Sequence, residues 1–214
     1  MNAAEMLQLA SEEEFRIIES IFLANAGGRK SVVFTAPDRG SGCSWIAARV
    51  ARRLAKHVNQ SVCIVDLNLC WPSQHDLFRI ENDRGFLQAV AESDPIRDYV
   101  EQINHSNLWV LPSGGSVSDS HIILGSEKAG MRLNELKREF DYVLIDTPAT
   151  KVSADSSLIG RLSDEAVLVI ASDSTRRDAA VSSLATLESA NVPVVGAVLN
   201  KRTYPIPDSI YRYL

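Results

Sequence analysis

A chain of 214 residues with 45% apolar and 23% charged side chains is long enough to bury the core of one domain without disulfides or structural metals. Its formal charge of −5 argues against a nucleic-acid partner, because binding a polyanion rests on Lys and Arg neutralising phosphates, and leaves room only for a small local basic patch. Cys43, Cys63 and Cys70 are odd in number and show no C-x-x-C spacing, which argues against a disulfide framework or a zinc site and predicts a reducing, cytoplasmic compartment.

Taken in order, residues 11–26 place Phe15, Ile18, Phe22 and Ala26 at helical spacing. Ser11 is set as N-cap, Glu14 completes a capping box and Gly27-Gly28 follow as a stop. With Glu5, Glu12, Glu13 and Glu14 ahead of any apolar run, this opening does not read as a signal peptide, and no apolar run is long enough for a membrane span. A strand over 31–35 then breaks into the Gly-rich turn Ala36-Pro37-Asp38-Arg39-Gly40-Ser41-Gly42-Cys43-Ser44. The helix from about 44 to 57 turns Ile46, Val50 and Leu54 inward and Arg49, Arg52, Arg53 and Lys56 outward, the arginines reading most simply as a solvated face.

A short apolar strand over 61–66 ends in Asp66-Leu67-Asn68 and is followed by Cys70-Trp71-Pro72-Ser73. Residues 85–103 read as one or two short helices broken near Asp94-Pro95, and 107–111 as a strand ending in Pro112-Ser113-Gly114-Gly115. A helix over 127–139 precedes the strand ending at Asp146-Thr147-Pro148. Helix 154–162, strand 165–171, helix 176–190 and strand 192–199 complete the alternation. Strands that alternate with helices predict an open, mostly parallel doubly wound α/β sheet with helices on both faces, in one domain over 1–214. Ligands of such sheets bind beyond the carboxyl ends of the strands. That edge gathers the Gly-rich turn, Asp66, Asp146 and the end of the last strand.

The turn has the outline of a phosphate-binding loop: backbone N–H groups cradle an anion at a helix N-terminus, and Ser44 is placed to hold Mg²⁺. The Lys of that pattern is missing, with Cys43 in its place. Two carboxylates at neighbouring strand ends, Asp66 and Asp146, are suited to hold a hydrated Mg²⁺ against the bound anion.

These residues also carry a resemblance. The turn, Asp-x-Asn-x-x-x-Pro-Ser at 66–73, Leu-Pro-Ser-Gly at 111–114, Phe-Asp-Tyr-Val-Leu-Ile-Asp-Thr-Pro at 140–148 and Val-Pro-Val-Val-Gly-Ala-Val-Leu-Asn-Lys at 192–201 resemble the bacterial tyrosine autokinases of capsule and exopolysaccharide synthesis. These share a deviant P-loop NTPase fold with septum-positioning and plasmid-partition ATPases. The resemblance implies ATP or ADP with Mg²⁺, held by Arg39, Gly40, Ser41, Gly42, Cys43 and Ser44. It makes Asp66 and Asp146 the catalytic carboxylates and, with Ser44, the metal ligands, and Asn200 the reader of the adenine edge, against the plainer role of a strand-end turn residue. It also implies a membrane-embedded polysaccharide co-polymerase or export protein as partner, and a cytoplasmic site at the inner face of the membrane reached through that partner.

The departures fall in the same site. Cys43 replaces the lysine, Asn68 the second acid of an Asp-x-Asp, and Cys70 an arginine. Since phosphoryl transfer depends on positioned charge, losing one stabilising group costs on the order of 10²–10³ in rate, and the expectation is a degenerate kinase acting as regulator or scaffold. An active kinase with non-standard phosphate contacts and a partition-type ATPase are the alternatives. Glu13 and Arg16 keep two positions of the charged triplet that packs such kinases into rings, while Glu19 reverses the third, so a homo-oligomer stays open. The tail over 203–214 offers Tyr204, Tyr211 and Tyr213 as acceptors for another kinase or as packing residues. Trp45 and Trp71 flank the proposed site, where they read as covering a nucleotide or, on the favoured reading, as filling space that an active site would leave open. His57, His75, His105 and His121 are scattered without ligand spacing.

Overall fold

The computed structural model describes residues 18–23 and 30–201. Three strands that are apolar or small between their end residues form the centre: β1 (Lys30–Thr35), β2 (Val62–Asp66) and, from later in the chain, β5 (Tyr142–Asp146). Strands of this composition are stable only when covered on both faces. The side chains of β1, β2 and β5 accordingly alternate between two separate cores. One holds Val33, Val65, Val143 and Ile145 against Leu133, Leu136, Ile159 and Leu187; the other holds Val32, Phe34, Ile64 and Leu144 against Ile46, Val50 and Leu54.

The second core is closed by α1 (Cys43–His57) and by a π-helical turn over Glu19–Leu23. Ile18 and Phe22 are buried there, and the Phe22 ring stands edge-on to Tyr142. The flanking parts of the helix expected over 11–26, with Ser11, Glu13, Glu14, Arg16 and the Gly27-Gly28 stop, lie outside the described residues, as do Tyr204, Tyr211 and Tyr213.

After β2 come two short helices, α2 (Gln74–Phe78) and α3 (Phe86–Ala91), then a 3₁₀ turn over Ile96–Tyr99 and the two-residue strand β3 (Glu101–Gln102). Strand β4 (Leu108–Leu111) leads to α4 (Ser120–Leu124) and α5 (Glu127–Glu139). Beyond β5 lie α6 (Asp155–Gly160), β6 (Glu165–Ala171), α7 (Arg177–Ser189) and β7 (Val194–Asn200).

The seven strands run in the order β3-β4-β2-β5-β1-β6-β7, all parallel except β3, which pairs antiparallel with β4. The segment read from sequence as one or two helices over 85–103 therefore ends as an edge strand. Its break at Asp94-Pro95 is real, because proline disfavours helix in the residue before it. Helices α2 and α4 were not anticipated; at five residues each they are too short for an apolar period to register.

Two register pairs fix the functional edge. Asp66 lies directly beside Asp146 across β2 and β5, and Phe34 beside Asp146 across β1 and β5. Adjacent parallel strands are about 4.8 Å apart, so the two carboxylates emerge side by side on the face that carries α1.

Candidate functional site

The turn after β1 is shaped by two glycines in the left-handed region, Gly40 at φ 82° and Gly42 at φ 84°, a conformation that costs an L side chain roughly 1–2 kcal/mol. At Gly42 a Cβ would also lie 2.3 Å from the Asn200 amide nitrogen. Gly42 caps α1, and its carbonyl accepts from the Ile46 N–H at 3.0 Å. Around the turn Ser41 Oγ donates to the Asp38 carbonyl at 2.8 Å, and Lys151 Nζ pairs with Asp38 at 2.6 Å. Asn200 Nδ2 donates to the Ser41 carbonyl at 2.9 Å, and Lys201 Nζ to the Gly40 carbonyl at 2.7 Å. The end of β7 thus holds the turn from outside through two of its carbonyls.

A cavity of about 360 Å³ opens over this turn, lined by Arg39, Gly40, Ser41, Gly42, Cys43 and Ser44 on one side and by Asn68, Trp71 and Thr147–Ala149 on the other. Trp45 and Trp71 do not fill it. They stand at its rim, 45% and 40% exposed, because each ring lies under a guanidinium, Arg49 at 4.3 Å and Arg39 at 4.2 Å.

Beneath the cavity floor Asp66 and Asp146 are fully buried. Asp66 accepts three backbone N–H bonds, from Asn68 at 3.2 Å and from Ser73 and Gln74 at 2.8 Å each. It thereby ties the end of β2 to the first turn of α2. Gln74, also fully buried, gives its side-chain amide to Asp146 Oδ2 at 2.8 Å and to the Ser44 carbonyl at 3.1 Å. One residue of α2 therefore joins the ends of β2 and β5 to the start of α1. Burial first, and the neighbouring Asp146 charge second, push the Asp66 carboxyl up, against the pull of its three N–H donors. Burial also raises Asp146, opposed by Ser44, Gln74 and Cys43. The Ser44 and Cys43 side chains are near enough to favour the charged form of Asp146, yet neither meets hydrogen-bond geometry at Oδ1, which stays buried without a partner. The Gln74 Oε1 and Asn68 Oδ1 atoms are buried and unpartnered as well.

Cys43 opens α1 in the position where a phosphate loop carries its lysine. Burial, and then the Asp146 charge, hold its thiol well above the ordinary range. It is a neutral group at pH 7 and not a thiolate, despite the helix N-terminus.

Sequence reasoning places Arg39 through Ser44 in one cavity wall and brings Asp66 and Asp146 together below it. Asn200 reaches the same site by holding the Ser41 carbonyl. The residue that reasoning missed is Gln74. Its only signal is a polar side chain after Pro72-Ser73 at the start of a helix too short to show a period.

A mostly parallel sheet with this turn between its central strand and its covering helix, and two carboxylates at the neighbouring strand ends, defines a protein of the P-loop NTPase fold. The chain belongs to the family described as cellulose biosynthesis protein BcsQ, which matches residues 31–182, about seven-tenths of its length. It is also similar to bacterial tyrosine autokinases. CapB of Staphylococcus aureus, named provisionally as a tyrosine-protein kinase, is 29% identical over 203 residues, covering 94% of this chain and 89% of CapB. The tyrosine-protein kinase YwqD of Bacillus subtilis is 29% identical over 197 residues, covering 92% and 83%. Among solved structures the chimerical protein CapA2B2 superposes with a TM-score of 0.84 at 25% identity, covering 90% of this chain and 85% of that one.

Proposed function

We propose that this chain is a tyrosine-kinase-like P-loop protein that has given up phosphoryl transfer and serves as a regulator or scaffold in bacterial exopolysaccharide or capsule biosynthesis. The observation that carries the reading is the state of Cys43: a neutral thiol turned toward a buried carboxylate, where transfer chemistry needs a cation aimed at phosphate oxygens. Two further features support it. Asp66 already accepts three backbone N–H bonds, and Asp146 Oδ2 is taken by the Gln74 amide.

The residues present fit a nucleotide only in part. The turn's backbone N–H groups and the N-terminus of α1 suit a phosphate whatever side chains surround them, and the cavity is open to receive one. For Mg²⁺ the remaining donors are Ser44 and the unpartnered Asp146 Oδ1, a set that holds the ion alongside phosphate oxygens and waters; what is missing is the lysine that would neutralise the phosphates. In this reading Arg39, Gly40, Ser41, Gly42 and Ser44 hold any phosphate, and Asn200 and Gln74 keep the turn and floor in place. Weak nucleotide binding is compatible with that set and turnover is not.

The family description, cellulose biosynthesis, is consistent with a polysaccharide pathway. A membrane-embedded co-polymerase or export protein is the partner we favour. No helix among the described residues is long and apolar enough to cross a membrane, so that partner would hold the chain at the inner face.

The test is transfer of labelled γ-phosphate from MgATP to tyrosine, in the protein itself and in a poly-Glu-Tyr acceptor. The wild type and Asn68→Asp should give no incorporation above blank. Incorporation by the wild type that disappears in Asp146→Asn would show a working kinase and overturn the reading.

A further inference from the structure

Helix α1 carries Arg49, Arg52, Arg53 and Lys56 and no Asp or Glu in fifteen residues, in a chain whose overall charge is −5. At 100° per residue Trp45, Arg49, Arg52 and Lys56 fall within an arc of about 60°, a straight stripe about 16 Å long. The opposite side of the helix, with Ile46, Val50 and Leu54, is sealed against the sheet, so the stripe faces outward; Trp45, Arg52 and Lys56 are exposed.

The stripe is widened at its N-terminal end and in its middle. At its N-terminal end Trp45 shares the cavity rim with Trp71, and Arg39 lies on the Trp71 ring at 4.2 Å. In its middle the Arg52 guanidinium sits over the Phe78 ring at 4.2 Å and donates to the Leu77 carbonyl. Exposed Arg79, the left-handed C-cap of α2, adds a second guanidinium close to Arg52. Burial, and then the Arg79 charge, press Arg52 below its ordinary pKa. Like charges placed side by side are held against their repulsion, and an external anion would relieve it. Among the described residues, the acidic groups nearest in the chain to these elements are Asp76, 82% exposed and beside His75, and Asp38, already paired with Lys151.

We propose that the α1–α2 face is a docking surface for an anionic phospholipid bilayer. The two half-exposed tryptophans favour lipid over an acidic protein segment, because indole rings settle at the headgroup level with their polar edge wet. The basic stripe lies tangential to the molecule, as contact with a plane requires. Stacking on Trp71 and Phe78 fixes the Arg39 and Arg52 guanidiniums, and Arg52, which gives one N–H to the Leu77 carbonyl, has further N–H groups for headgroup phosphates. This attachment is direct and operates whether or not the site binds nucleotide.

The test is co-sedimentation of the full chain with phosphatidylglycerol–phosphatidylcholine vesicles and with pure phosphatidylcholine vesicles. Salt is set at about 0.1 M, where charges are felt over about 10 Å, and at about 1 M, where that falls to about 3 Å. The wild type should sediment with the anionic vesicles at low salt alone. Each neutralised cation should lower partitioning about five-fold, hence about twenty-five-fold for Arg52→Gln/Arg79→Gln. Lys56→Gln/Arg79→Gln, two exposed positions that leave the Arg52–Phe78 stacking in place, should do the same and guards against a folding defect. Trp45→Ala should weaken binding without changing its salt dependence. No sedimentation of the wild type, equal sedimentation with neutral vesicles, or unchanged binding by Lys56→Gln/Arg79→Gln overturns the proposal. So does displacement from the vesicles by poly-glutamate at a lower charge concentration than the lipid, which would assign the face to an acidic protein.

Discussion

Replacing Gln74 by leucine probes the floor of the site with little change in volume. The substitution removes the bond to Asp146 Oδ2, 2.8 Å long, and the bond to the Ser44 carbonyl, 3.1 Å long. A bond to a charged acceptor contributes about 1.5–3 kcal/mol and one to a carbonyl about 0.5–1.5 kcal/mol. The new methyl groups return part of this by apolar burial. Asp146 is left with both oxygens buried and without the amide, because Oδ1 has no partner to begin with. A net loss of about 2–3 kcal/mol follows while Asp146 is charged, which for a chain of this size lowers Tm by about 4–12 °C. The penalty is pH-dependent. Burial raises the Asp146 carboxyl to about 6, so at pH 5 the lost bond is one to a neutral acid and the shift should shrink to about 2–4 °C. Thermal unfolding followed by circular dichroism at pH 8 and pH 5 reads both numbers. A shift below about 2 °C at pH 8, or the same shift at both pH values, would refute the claim that the amide neutralises a buried charge.

Other expectations concern the same edge of the sheet. In the wild type, Asp66 is pushed up to about 7 from an unfolded value near 4. Between those limits the native state holds a proton that the unfolded state has released. Stability should fall as pH rises through that window and level off above it; urea midpoints that rise between pH 5 and 7 would contradict this. Gly42→Ala forces a Cβ into the left-handed region 2.3 Å from Asn200 Nδ2 and should cost about 2–3 kcal/mol, combining the backbone term with the lost Asn200 bond. An unchanged urea midpoint would refute it. Asn200→Ala removes only the bond to the Ser41 carbonyl and should cost about 1 kcal/mol, a Tm decrease of about 2–4 °C. A loss as large as that of Gly42→Ala would mean that Asn200 does more than hold the turn.

What the sequence disclosed follows from the length scale of each signal. Strands β1, β2 and β5 each have an apolar run at their centre, and α1 repeats Ile46, Val50 and Leu54 over a little more than two turns, so both were legible and with them the doubly wound sheet. The site's edge was legible because strand ends in such a sheet converge by topology, placing Asp66 and Asp146 together although they are eighty positions apart in the chain. Features decided by a single contact were not. The five-residue helix that delivers Gln74 has no period to detect, and β3 exists only because β4 offers an edge. Trp45, next to the turn, and Trp71, which follows β2, were read as filling the site or as covering a nucleotide; the stacking of Arg49 and Arg39, invisible in a linear pattern, accompanies their place at the rim. Asp66 illustrates the same limit, since a carboxylate at a strand end reads equally as a metal ligand or as the cap of the following turn, and the three N–H bonds it accepts could not be read from the sequence.

The central claim is that the phosphate loop survives as architecture while its chemistry has lapsed, and the loss is concentrated at Cys43. Isothermal titration of the wild type and of Cys43→Lys with MgATP tests it most directly. The account predicts weak or undetectable binding by the wild type, and tighter binding once a lysine faces the phosphates from the first residue of α1. Micromolar binding by the wild type with accompanying hydrolysis, abolished by Asp146→Ala, would contradict it.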